Sequence, residues 1–251
     1  GDTDGALDRV LTEAGNIGNP GSINDAETVH LGYLGSYLDG SGDGQIVRYD
    51  YTFDAFQFAI SVEQHAYDRN SNTSISGKNG DGLVANEDDD LTWAIGFGYE
   101  FEFAGGSVDT GIGYQYSDNG EIEFEFDDAG FADSLIVGGL ADRDGDGILD
   151  TAEVAATGVG ATVNLDGGLS AGFTYTMFDF DGLDKNVHHT GLGVGYAFDA
   201  ISLHANYGQY ATPAGGDING YGLSAGYDLG GGASLLAGYS HILVDEYQDT
   251  N

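Results

Sequence analysis

Cysteine is absent from the 251-residue chain. Nothing in it can form a disulfide, a zinc–thiolate site or a thiol nucleophile. Proline is almost absent too, with 2 residues beside 44 glycines. That ratio suits long strands, because proline cannot donate to a ladder while glycine supplies turns and relieves crowding on a concave face. Positive charge is the third scarcity: 6 Lys and Arg stand against 42 Asp and Glu, a formal charge of -36. With no basic patch to neutralise phosphates, this composition excludes nucleic acid as a partner, and it excludes a cationic anchor on a membrane surface. Long hydrophobic runs are missing as well. No stretch reaches the ~18 to 20 apolar residues of a membrane helix, so insertion into a bilayer would require a closed barrel. Neither Met nor a basic, apolar leader opens the chain, which begins Gly1-Asp2. This predicts that a leader has been removed or that the sequence is a piece of a longer one.

What the chain has in abundance is alternation. From Gln45 onward it repeats one unit, about ten residues alternating apolar with small or polar, then a very short turn or a long acidic loop, as transmembrane β-barrels do. Strands are predicted over 45–53, 56–67, 91–103, 107–117, 158–166, 169–178, 188–198, 201–211, 219–229 and 233–243. Tight turns at Asp54-Ala55, Ala104-Gly105-Gly106, Asp166-Gly167-Gly168, Asp199-Ala200 and Gly230-Gly231-Gly232 join them into hairpins. Long polar loops, 68–90, 118–157, 179–187 and 212–218, separate the hairpins. Short turns at one end and long loops at the other are the asymmetry of bacterial outer-membrane barrels. The fold class expected is therefore all-β, an up-and-down antiparallel transmembrane barrel in one domain over residues 1–251, with outer-membrane lipid as its surroundings.

Parity supports that reading. Leu91, Trp93, Ile95, Phe97, Tyr99, Phe101 and Phe103 share one face, while Thr92, Ala94, Gly96, Gly98, Glu100 and Glu102 share the other. Val47, Tyr49, Tyr51 and Phe53 likewise oppose Arg48, Asp50 and Thr52. A slip of one residue would put Arg48, Asp50 and Glu63 into hydrocarbon, where an Arg near the midplane costs roughly 2 to 4 kcal/mol, so the register is strongly specified. A soluble β-sandwich could share the alternation, but neither the turn asymmetry nor the density of outward aromatics suits it. Tyr99, Phe101, Tyr114, Tyr116, Tyr196, Phe198, Tyr227 and Tyr239 fall near strand ends, as aromatic girdles require.

The segment ahead of the first strand differs. Ala6, Leu7, Val10, Leu11 and Ala14 lie at helical spacing with Gly15 as a C-cap, and the acids face away from that stripe. Here the chain resembles the general-diffusion porins of Gram-negative bacteria, especially the trimeric alphaproteobacterial type. In that family a Gly-Asp leads from a strand into a long loop that folds into the barrel and narrows it. Gly1-Asp2 through about Asp43 looks like that loop, with Gln45-Ile46-Val47-Arg48-Tyr49-Asp50-Tyr51 as the next strand. The resemblance implies a sixteen-stranded barrel of which about ten strands are present, and a homotrimer. It also implies passive passage of ions and small hydrophilic solutes, and no catalysis. It places Asp2, Asp4, Asp8, Glu13, Asp25 and Glu27 on the acidic side of a constriction and Arg48 on the basic side.

A separate motif points to a metal. Asp142-Arg143-Asp144-Gly145-Asp146-Gly147-Ile148-Leu149-Asp150-Thr151-Ala152-Glu153 fits the calcium-loop pattern D-x-D-x-D-G-x5-E throughout. Asp142, Asp144 and Asp146 would supply carboxylates, Gly147 the sharp turn and Ile148 its carbonyl. Asp150 would bind directly or through water, and Glu153 with both oxygens. No helix clearly precedes it, so a structural calcium clip in an extracellular loop is expected rather than a regulatory helix pair. Asp39 to Gly44 and Asn79 to Gly82 are weaker echoes, read as turns. The 6 histidines show no metal spacing beyond His188-His189, whose adjacent side chains must point to opposite faces of a strand. They are taken as rim or lumen residues. Alternatives from other classes are a ten-stranded barrel enzyme, for which no Ser, Asp and His cluster is evident, and a calcium-stiffened surface or adhesion barrel.

Overall fold

A computed structural model describes residues 5–11, 13–21, 29, 45–64, 91–117, 120–122, 149–151, 153–181, 185–212 and 217–244. The alternating runs all form strands. β1 (Gln45–Phe53) and β2 (Phe56–Gln64) make the first hairpin, β3 (Leu91–Phe103) and β4 (Gly106–Ser117) the second. Two short strands follow, β5 (Gly120–Ile122) and β6 (Leu149–Thr151). The remaining strands are β7 (Val154–Leu165), β8 (Leu169–Phe180), β9 (Val187–Phe198), β10 (Ile201–Ala211), β11 (Ile218–Gly230) and β12 (Ala233–Val244). Ten of them form a single antiparallel sheet in the order β1-β2-β3-β4-β7-β8-β9-β10-β11-β12. Apart from the β4–β7 passage, each main strand neighbours its immediate successor, the up-and-down meander expected.

The expected turns are present. Asp54 and Asp199, first residues of the two-residue turns, have φ of 54° and 48°. That left-handed conformation matches the twist of paired strands, and Asp tolerates it better than most side chains. Two features were not foreseen. β5 and β6 pair with Glu121 opposite Asp150, a ladder of three residues inside the long acidic connection, too short to show a period. β7 starts at Val154 rather than 158, and β8 runs on to Phe180 rather than 178. Val154 and Ala156 are buried on the face where small polar residues were expected, so simple alternation fails there.

Parity is as predicted. Along β3, Thr92, Ala94, Gly96 and Gly98 are buried, while Trp93, Phe97 and Tyr99 on the other face are exposed. Val47 and Phe53 of β1 are 74% and 66% exposed. A sheet that exposes its aromatics and buries its glycines and threonines is inside-out relative to a water-soluble protein.

The buried face carries the segment that precedes β1. α1 (Ala6–Val10) packs on β2, β3 and β4, and a 3-10 turn (Ala14–Asn16) packs on β8, β9 and β10. The helix is shorter than the apolar spacing suggested: Leu11 is already extended (φ -91°, ψ 119°). One turn of helix is unstable by itself, so contact with the sheet holds it. Beyond Leu11 the backbone bonds both to the wall, Ala14 N–H to Thr174 Oγ1, and within its own short turns, Asn16 N–H to the Glu13 carbonyl and Asn19 N–H to the Asn16 carbonyl. The apolar cluster around α1 continues on the same face toward the long-loop ends of β7 to β11, where Val154, Ala156, Phe178, Phe180, Val187, Tyr210 and Ile218 gather with Val29 of the segment.

Candidate functional site

Glycine prepares the floor on which the segment lies. Across β3, β4 and β7 the pairs Gly96↔Gly113, Gly98↔Gly111, Gly111↔Gly160 and Gly113↔Gly158 stand side by side, and Gly172↔Gly193 continue the strip between β8 and β9. Gly96, Gly111 and Gly193 of this strip have no room for a methyl group. A Cβ on Gly96 would lie 2.5 Å from the Ala6 carbonyl oxygen and from Val10 Cγ2, and one on Gly195 2.7 Å from Gly18 Cα. On Gly111 and Gly193 it would collide with the carbonyl oxygens of Val10 and Ala14. The glycines thus allow the backbone of the segment to run directly against the backbone of the wall. Leu7, Val10 and Leu11 fill the groove and are buried, while Arg9 on the opposite side of α1 is exposed.

Hydrogen bonds from wall side chains fix the segment along this floor. The wall's own N–H and C=O groups are used in the ladders, so the segment's unpaired backbone groups require side-chain partners. Ala6 N–H donates to Ser61 Oγ (2.8 Å) and Ala14 N–H to Thr174 Oγ1 (3.0 Å). His204 Nδ1 lies 2.7 Å from the Ile17 carbonyl, and His189 Nε2 2.9 Å from the Val29 carbonyl. A carbonyl only accepts, so each of these nitrogens carries the proton. Asn206 Nδ2 donates to His204 Nε2 (3.0 Å), and Ser224 Oγ donates to Asn19 Oδ1 (2.8 Å). The contacts run from β2 to β11.

The predicted site residues are distributed as follows. Asp8 and Glu13 lie on the segment, both half-buried. Arg48 lies on the segment-bearing face of β1 and donates through Nε to both oxygens of Asp50, 3.0 and 3.1 Å away. Its charge is thus offset by an acid on its own strand. Asp2, Asp4, Asp25 and Glu27 lie outside the described residues, as do Asp142, Asp144, Asp146 and Ile148 of the calcium motif. Asp150 falls in β6, and Glu153 is exposed just ahead of β7. Among the described residues no group of three or more His, Asp or Glu is gathered to hold a metal.

Sequence reading missed two sets of residues. His189 and His204 were grouped with the other histidines as rim or lumen groups, whereas they bond the segment. Inward parity located them, but no periodic signal tells which inward residue meets the segment. The second set is a band of carboxylates toward the short-turn end of the segment-bearing face. Glu100 stands directly across from Asp109, with Glu102 one step further along β3. Asp109 accepts from Asn164 Nδ2 (3.1 Å), and Asn164 Oδ1 accepts from Ser170 (2.8 Å). Asp50 and Asp228 share this face by parity. Like charges directly opposite repel unless water and counter-ions separate them, so this band requires solvent on the segment side of the sheet.

Comparison with known proteins agrees with this geometry. The family model described as Gram-negative porin matches residues 1–247. A porin from Rhodobacter capsulatus is 26% identical over 250 residues, which is 95% of this chain and 69% of that protein. Among solved structures, a porin aligns with a TM-score of 0.58 at 19% identity, covering 96% of this chain and 70% of the other. OprE of Pseudomonas aeruginosa aligns with a TM-score of 0.53 at 12% identity, covering 95% and 59%. An exposed aromatic face, an up-and-down meander and a segment laid along the opposite face are thus those of a transmembrane barrel wall and the lining of its lumen. The chain belongs to the Gram-negative porin family, β-barrel proteins of the bacterial outer membrane.

Proposed function

We propose that this protein is a passive diffusion channel for ions and small hydrophilic solutes, and that residues 5–21 narrow its aperture. The observation that carries this is the course of that segment over the lumen face from β2 to β11, held by bonds from Ser61 at one end and Ser224 at the other. A chain laid across the inside of a wall takes cross-section from the pore. No covalent chemistry is needed for such a function: size and charge at the narrowest point decide what passes.

The acids give the channel its preference. Asp8 and Glu13 on the segment, with Asp2, Asp4, Asp25 and Glu27 in its continuation, form the acidic side of the constriction, and Arg48 contributes to the basic side. The carboxylate band of Glu100, Glu102, Asp109 and Asp228 adds a second negative zone toward the turn end. In a formal charge of -36, these inward groups raise the local cation concentration and favour cation entry. The test is single-channel conductance of the native full-length protein across a planar bilayer, with the reversal potential under a KCl gradient. Ohmic, cation-selective steps are the expected result, and steps arriving in threes would support the homotrimer implied by family resemblance. Silence from folded protein would overturn the reading.

The same proposal assigns calcium to the loop Asp142–Glu153, on the strength of its spacing. Asp142, Asp144, Asp146, Asp150 and Glu153 would offer carboxylates and Ile148 a carbonyl, matching the six to eight oxygens this ion takes. Titration calorimetry should give one site per chain with a dissociation constant of about 10⁻⁴ to 10⁻³ M, the range of extracellular modules. Asp144→Asn combined with Asp146→Asn should abolish it. Binding that survives both substitutions would exclude this loop.

A further inference from the structure

We propose that His204 and His189 are positioning residues that set the aperture by latching the lumen segment to the wall. The inference rests on the passive-channel reading and deepens it. The two halves of the segment are held differently. Around α1, the bond from Ala6 N–H to Ser61 Oγ is accompanied by apolar contact of Leu7, Val10 and Leu11 with the glycine floor. From Ala14 onward wall side chains bond the segment repeatedly, through Thr174, His204, Ser224 and, further on, His189.

The imidazoles are the rigid members of this set. Both are nearly removed from solvent, His204 at 4% and His189 at 0%. A buried carbonyl must receive a donor, and the ladder amides of β9 and β10 are already engaged, so among the described residues these rings supply the donors to the Ile17 and Val29 carbonyls. His204 is prepared for the task, because Asn206 donates to Nε2 and leaves the proton on Nδ1, which faces Ile17. Its cross-strand neighbour on β11 is Ser224, which holds Asn19, so adjacent wall residues grip the segment two positions apart. His189 is steadied by the ring of Tyr210, 4.6 Å away between centroids. Each latch fixes the height of the segment above the wall, and that height determines the free cross-section.

The test uses the full-length native protein and its single-channel traces in KCl, with heat resistance of the assembled barrel measured alongside. The loss of one such hydrogen bond shifts the ratio of seated to unseated segment by about tenfold. His204→Leu and His189→Leu should therefore populate a second, noisier conductance level about tenfold more than wild type, with heat resistance unchanged because the ladders are intact. His204→Asn places an amide N–H where Nδ1 was, and His189→Gln one where Nε2 was, so both should restore the single level. A general packing role would not be rescued in this way. Should a leucine variant fail to assemble, Thr174→Val, which keeps the shape but removes the acceptor of the Ala14 N–H, should show the same second level. Variant traces identical to wild type in folded protein would overturn the latch and leave the channel reading in place. A silent wild type would overturn the channel reading itself.

Discussion

Single atoms decide the character of the lumen wall. At Gly111 and Gly193 an added methyl would occupy the place of a segment carbonyl oxygen, so Gly→Ala there must lift the segment or distort the wall. Forcing extra carbon into such a site typically costs about 1 to 3 kcal/mol. Gly193→Ala should therefore alter unit conductance while leaving assembly intact. Gly167, with open space around it, should accept Ala with no change in conductance, and equal effects at both sites would refute the steric account. Charge acts at the same scale. Removing the carboxylates of Glu100 and Asp109 by Glu100→Gln and Asp109→Asn should move the reversal potential toward the non-selective value, with unit conductance in KCl little altered. An unchanged reversal potential would show that this band does not face the ion path.

At the scale of elements, the instructive case is α1. A single turn has too few internal bonds to persist in water, and it forms because Leu7, Val10 and Leu11 find a groove. Truncating a buried leucine typically costs 2 to about 5 kcal/mol, more than a one-turn helix can offset. Leu7→Ala should therefore loosen α1 locally without unfolding the sheet. Arg9, exposed on the outer side of that turn, offers a readout: trypsin should cut after Arg9 markedly faster in the variant, and equal rates would mean that packing at Leu7 does not hold the turn. The strands behave differently. Each is secured along its length by ladders and by outward side chains that prefer lipid, so their limits were legible from alternation to within a few residues. It failed at the start of β7 and the end of β8, where Val154, Ala156, Phe178 and Phe180 are buried against an interior apolar cluster. The two-residue period carries no sign of which face is apolar once both are.

For the whole molecule, the ladder stops at β1 and β12, which do not pair with each other among the described residues. An open edge in a bilayer leaves rows of N–H and C=O groups without partners, each costing several kcal/mol, roughly, in hydrocarbon. The 251 residues expressed alone should therefore give no heat-resistant, cooperatively melting β-structure in detergent, as judged by circular dichroism and by gel mobility before and after boiling. Cooperative, heat-resistant structure would mean that β1 and β12 meet. The porin from Rhodobacter capsulatus extends beyond the match, which covers 69% of it.

The sequence by itself determined the barrel wall: strand positions, turns, register and the direction each side chain faces. It could do so because a two-residue period against lipid is a local rule, enforced at every step by the cost of placing charge in hydrocarbon. The helix-spaced stripe of the lumen segment was legible because a 3.6-residue period is a local pattern too. Only the tertiary structure decided where that segment lies, how short its helix is, and which wall residues hold it. Gly111 in β4 and Val10 in α1, or His204 in β10 and Ile17, are far apart in the chain, and no local pattern records that one was made small or given an imidazole to suit the other. Contacts between strands and a crossing segment are set by closure of the fold in three dimensions, which is why glycines that read as relief from crowding proved to be a floor, and two of the histidines that read as rim or lumen residues proved to bond the segment.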